Sequence, residues 1–137
     1  MGLVILDANN QVVQSLAPVE SSEQYVFRDH LTEAFPSQLL VDVTESCNLE
    51  CIHCPHPEFK KSHHYAGRKV LPELNEKLVD EVGRHGKGLT QYIRYASNGE
   101  PMIHPAIFQM LTYAVDNSDV VVTLTTNGTL MNQKRID

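Results

Sequence analysis

Two hydrophobic periods alternate along this chain, and the alternation narrows the available folds more than any other feature. Residues 39–44 (LLVDVT), Tyr92–Ala96 and residues 120–125 are apolar or β-branched runs that read as strands. Between the first two, Leu71, Leu74, Leu78 and Val82 recur at helical spacing. Pro72 and Glu73 suit the first turn of that helix, and Gly86 and Gly88 end it. Pro105 opens a second helix whose face carries Ile107, Met110, Leu111, Ala114 and Val115. Strands alternating with amphipathic helices imply βαβ units and a parallel sheet. Ligands of such sheets sit at the carboxyl ends of the strands. Every polar motif in the chain falls at that end.

The segment ahead of this pattern is different. Residues 3–6 and 12–16 flank the turn-rich Asp7-Ala8-Asn9-Asn10 and read as a small hairpin. Residues 17–36 form a polar connector with a short helix expected around 25–34. The domain reading is therefore 1–37 as hairpin and connector and 38–137 as the α/β unit. With 42% hydrophobic and 20% charged residues the composition is that of a soluble globular protein. No apolar run approaches the ~20 residues that span a bilayer, and residues 1–6 lack the basic start of a signal peptide. A cytoplasmic location is the expectation. The net charge of −6, with no Lys/Arg stripe, argues against a nucleic-acid partner.

The first motif holds all 3 cysteines of the chain: Cys47, Cys51 and Cys54, in CNLECIHC. Three thiolates bind a four-iron cluster and leave one iron open to a reactant, whereas electron-transfer clusters commonly take four cysteines. The competing reading is zinc. Cys51 and Cys54 are spaced like a zinc knuckle, with His53, His56, His63 and His64 nearby to complete a tetrahedral set. Against zinc, the sequence has no second CxxC and no HxxxH downstream. An odd cysteine count with no secretory signal disfavours a disulfide framework.

The Cx3Cx2C spacing, with His53 just before the last cysteine, resembles the cluster motif of the radical S-adenosylmethionine (radical SAM) enzymes. Two further motifs add to the resemblance. After the second strand, Ser97-Asn98-Gly99-Glu100-Pro101 resembles the family's GGEP motif, with Asn98 in place of the first glycine. Glycine lets backbone approach a ligand closely, and polar groups there can receive an ammonium. After the third strand, Thr125-Thr126-Asn127-Gly128-Thr129 resembles the family's TNG element. A plain strand-to-helix turn, with Gly128 at positive φ and Thr129 as the N-cap of a third helix, explains that motif nearly as well.

The resemblance implies the first three βα units of a partial (β/α)6 TIM-like barrel. It implies a [4Fe–4S] cluster on Cys47, Cys51 and Cys54, with S-adenosylmethionine against Asn98, Gly99, Glu100, Pro101, His53 and Asn127. It also implies reductive cleavage of that cofactor to a 5′-deoxyadenosyl radical, hydrogen abstraction from a substrate such as a peptide, and a flavodoxin or ferredoxin as electron donor. The alternative function is a non-catalytic zinc-binding module using the three cysteines and a histidine. A half-barrel would expose an apolar inner face and an unpaired edge strand, so the chain reads as a truncated core, inactive alone, with dimerisation through that edge. Arg94 and Tyr95 fall on opposite faces of the second strand. Asp42 reads as either a lumen residue or a capping partner. His56, His63, His64 and His104 read as loop residues.

Overall fold

The computed structural model describes residues 4–6, 12–15, 31–96 and 98–133. The chain divides into two compact units, Met1–His30 and Leu31–Asp137.

In the first unit, β1 (Val4–Leu6) pairs antiparallel with β2 (Val12–Ser15), and the register slips between Ile5 and Leu6. This is the expected hairpin; its turn, residues 7–10, lies outside the described residues. So does residue span 25–30 of the short helix expected at 25–34. Of that helix the described residues show bends at 33 and 34 instead. The Thr32 hydroxyl takes the Ala34 N–H at 3.0 Å, a local bond of the kind that competes with helix.

The second unit holds β3 (Gln38–Asp42), α1 (His56–Lys61), α2 (Pro72–His85), β4 (Tyr92–Ala96), α3 (Ile107–Asn117) and β5 (Val121–Leu124). The strands form a parallel sheet in the order β3-β4-β5. The register aligns Leu39, Ile93 and Val122 in one row and Val41, Tyr95 and Leu124 in another. These rows face α2 and α3, and the buried core is Val41, Val43, Val79, Val82, Ile93, Tyr95, Ile107, Met110 and Ala114. The intervening rows, Leu40–Arg94–Thr123 and Asp42–Ala96, project from the opposite face. Tyr95 is therefore the helix-facing member of its pair with Arg94.

The first helix face differs from the sequence expectation. The buried residues of α2 are Asn75, Val79 and Val82, while Leu71 and Leu74 are 66% and 57% exposed. The cause is polar. Burial pushes the Tyr95 hydroxyl up to about 12, and a buried phenol needs a partner. Asn75 supplies it, accepting from Tyr95 at 2.6 Å and donating to the Met110 carbonyl at 3.3 Å. That bridge puts Asn75 in the core beside Val79 and Val82. Val82 lies in the core and Leu78 packs against it as expected, while Leu74, with Leu78, Leu40 and Val70, lines a groove of about 550 Å³ beside β3.

Other boundaries follow local chemistry. Leu71 stands extended ahead of Pro72, Glu73 lies in the first turn, and Gly86 closes the helix on the Val82 carbonyl at 2.8 Å. Helix α3 begins at Ile107 after one 3-10 turn at Pro101–Ile103, and Val115, expected on its inner face, is 60% exposed. Helix α1 falls where sequence predicts only a loop. It is too short for periodicity to show, and it is anchored by the packing of His56, Phe59 and Tyr65 on one another. After β5, Gly128 has φ 73°, as its turn requires. Residues 129 and 130 form a turn, and helix begins only at Gln133, the rest of the expected third helix lying outside the described residues.

Candidate cofactor site at the carboxyl ends of the strands

Each strand of the second unit runs out into one of the three motif loops. Past Asp42, the Val43 N–H still bonds the Ala96 carbonyl at 3.1 Å, and Thr44 bridges Lys69, so the cysteine loop leaves from a fixed base. Thr44 Oγ1 accepts the Ser46 N–H at 3.2 Å. Glu45 ties the loop to the segment after α1. It accepts from the Ala66 and Arg68 N–H groups at 3.0 Å each and from Arg68 Nε at 2.7 Å. These bonds, the backbone and guanidinium of Arg68 foremost, hold its carboxyl down at about 2.

The cysteines follow on a tight turn closed by Cys54 N–H on the Cys51 carbonyl at 3.0 Å. Cys51 and Cys54 are exposed and Cys47 is half-buried. Backbone amides point at two of the sulfurs: Leu49 N–H at Cys47 Sγ and His56 N–H at Cys54 Sγ, both at 3.5 Å. His53 is exposed at the tip beside Ile52, which is 92% exposed.

The loop after β4 lies directly on the cysteine loop. Glu100 N–H donates to the Ser46 carbonyl at 2.8 Å, and a Cβ on Gly99 would stand 2.0 Å from that same oxygen. Gly99 is thus required by the backbone of the residue before Cys47, an approach within the protein itself. The Glu100 side chain is buried. Its carboxylate accepts from Met102 N–H at 2.9 Å, Thr126 Oγ1 at 2.6 Å and Asn127 N–H at 2.7 Å. Glu100 therefore clamps the second motif loop to the third. Pro101 is buried at the start of the 3-10 turn. Asn98 is exposed and bonds Asp42 twice, through its N–H at 3.1 Å and its amide at 2.9 Å. Asp42 is thereby a capping partner on the open face.

Asn127 completes the ring of contacts. Its amide donates to Asn48 Oδ1 at 3.1 Å, its Oδ1 accepts from Thr129, and Asn48 in turn donates to Thr129 Oγ1 at 2.8 Å. The three loops thus form one cross-braced platform. Asn48, Ser46, Thr126 and Asp42 carry that bracing; sequence reasoning marks Asp42 as a candidate capping partner and Thr126 as part of the third motif, but misses Asn48 and Ser46. Their partners lie in other loops, so no local spacing marks them.

The histidines do not join the cysteines. His104 is buried, with Nδ1 accepting from Ala106 N–H at 3.2 Å and Nε2 donating to the Val70 carbonyl at 2.8 Å. His56 is buried with Nε2 on the Glu45 carbonyl at 2.7 Å. His63 and His64 are exposed after α1. Among the described residues, no three His, Cys, Asp or Glu side chains converge on a single-ion site. Zinc needs its four ligands around one ion, whereas a cluster spreads three thiolates over three irons.

The sequence profile of the Radical SAM superfamily matches residues 41–137, which contain all three loops. The chain belongs to the radical SAM superfamily. It is 32% identical over 102 residues to the AdoMet-dependent heme synthase of Methanosarcina barkeri, covering 74% of this chain and 27% of that protein. It is 31% identical over 100 residues to a GTP 3′,8-cyclase of Desulforamulus reducens, covering 72% and 29%. A solved structure, BtrN in complex with AdoMet and 2-DOIA, aligns with a TM-score of 0.61 at 21% identity, covering 73% of this chain and 39% of that one. That likeness supports the barrel-type fold, of which this radical SAM chain shows three parallel strands. The chain spans under a third of the length of the two named relatives.

Radical SAM enzymes use a [4Fe–4S] cluster and S-adenosylmethionine. The residues present fit the cluster: three thiols on one braced loop, two of them faced by amides of the kind that tune cluster sulfurs.

Proposed function

We propose that this chain carries the cluster-binding end of a radical SAM enzyme, with Cys47, Cys51 and Cys54 as the cluster ligands. Cys47, Cys51 and Cys54 would hold the cluster, and the group would supply one-electron reductive cleavage of S-adenosylmethionine for hydrogen abstraction from a substrate. The chain's own part is to hold the loop still. Gly99 and Ser46 fix its base, Glu100 locks the neighbouring loop, and Asn48 and Asn127 fix its flank. Asn98, Gly99, Pro101 and Asn127 border the space where the cofactor rests, with the imidazole of His53 at its rim. Glu100 serves that site through the loops it clamps. An external flavodoxin- or ferredoxin-type donor would supply the electrons, in a reducing compartment such as the cytoplasm. No helix among the described residues is long and apolar enough to cross a membrane.

The observation that carries this reading is the bracing of the Cx3Cx2C loop by both other motifs at the carboxyl end of a parallel sheet. The test is electron paramagnetic resonance of the anaerobically reconstituted, reduced chain. A cluster signal that shifts on adding S-adenosylmethionine, and is lost in Cys51→Ala, supports it. A signal indifferent to the cofactor sinks it.

A further inference from the structure

Arg94 is the only cation on the three parallel strands, QLLVD, YIRYA and VVTL. It lies on the face away from the helices, in the row Leu40–Arg94–Thr123. The strand end at Ala96 is two positions further on, which places the Arg94 backbone about 7 Å below the motif loops. Among the described residues no carboxylate pairs with it. Asp42, on the same face, is bonded by Asn98 instead.

The guanidinium is nonetheless held in place. Its Cζ stands 5.5 Å from the centroid of the Tyr92 ring, within cation–π range. The Tyr92 hydroxyl in turn donates to Gln38 Oε1, which fixes the ring. On the other side Thr123 sits in register, its Oγ1 shielded from solvent and without a hydrogen-bond partner. A shielded hydroxyl left unbonded is uncommon in a folded protein. In a chain of net charge −6, a pre-placed cation beside an unused hydroxyl is an anion site in outline.

We propose that this open sheet face binds an oxyanion of the substrate, a carboxylate or phosphate, with the Arg94 fork as bidentate donor and the Thr123 hydroxyl as third donor. Guanidinium geometry matches both groups and a lysine point charge does not. The assignment rests on the radical SAM reading, because it is the substrate of that reaction that would lie beneath the loops. It names the substrate class that the reaction acts on.

The test is calorimetric titration of the reconstituted full chain at low salt, with pyrophosphate for the phosphate class and succinate for the carboxylate class. Each titration is run with and without saturating S-adenosylmethionine. Saturable binding of either anion under both conditions, weakened about tenfold or more by Arg94→Gln, supports the site, and the preferred anion names the class. Arg94→Lys should bind more weakly than wild type and Thr123→Val a few-fold more weakly. If Arg94→Gln does not fold by circular dichroism, the Lys variant decides: binding equal to wild type overturns the proposal. Absence of binding by wild type, or its loss when S-adenosylmethionine is added, also overturns it, the latter by making Arg94 a cofactor ligand. Failure of the radical reading shows separately, as a chain that takes up no iron or sulfide.

Discussion

At the residue scale, the site depends on how closely two backbones meet. Gly99 has room for no side chain because the Ser46 carbonyl occupies the position of its Cβ. That neighbour is backbone, so no rotamer change relieves the clash. Gly99→Ala is expected to destabilise the chain by about 1–3 kcal/mol, measured by urea denaturation, and to lower cluster uptake in parallel. Unchanged stability would mean the loops are not apposed as described. The glycine and glutamate of this motif are legible in the sequence as a motif. Their tasks are not, since Ser46 lies 53 residues before Gly99 in the numbering and the main partners of Glu100 come from the loop after β5. Long-range bonds leave no trace in local spacing.

At the element scale, helix α2 shows where periodicity stops being informative. Of the face its periodicity predicts, Leu78 and Val82 meet the core. Leu71 and Leu74 stay exposed, and Asn75 is buried because the Tyr95 hydroxyl must be bonded. Val79→Ala, at a fully buried position, should cost about 2 kcal/mol, and Leu74→Ala about 0.5 kcal/mol or less, both by chemical denaturation. The reverse ranking would restore the leucine face. The strands were legible because β-branched runs bounded by polar turns need no partner to be read. Helix α1 was not, because six residues cover too few turns to show a period. The tie between the cysteine loop and the segment after α1 carries its own pH signature. The Arg68 backbone and guanidinium hold the Glu45 carboxyl down at about 2, below the ordinary 4.5 of a glutamate. A depressed carboxyl stabilises the fold above pH 4.5 and loses that contribution as pH falls toward 2. Stability of the cluster-free chain should therefore decline across that window, and Glu45→Gln should flatten the decline. An identical decline in the variant would remove Glu45 from the account.

At the scale of the whole molecule, a parallel three-stranded sheet is covered by α2 and α3 on one face and presents Leu40, Asp42 and Arg94 on the other. All three motif loops leave from one end. The alternation of periods foretold this layout, and with it the end at which chemistry collects. The identity of the metal group is the claim on which the rest hangs. Strands β3 and β5 both lack a partner on their outer edges among the described residues, and we propose that copies associate through an exposed sheet edge. Sedimentation velocity at rising concentration would show a growing dimer, and a monomer throughout would refute the association.

The most direct test of the whole account is the content of iron, acid-labile sulfide and zinc after anaerobic reconstitution, in wild type and in Cys47→Ala, Cys51→Ala and Cys54→Ala. The account predicts about four irons and four sulfides per wild-type chain, a sharp loss in each variant, and no stoichiometric zinc. One zinc per chain with no sulfide would contradict it.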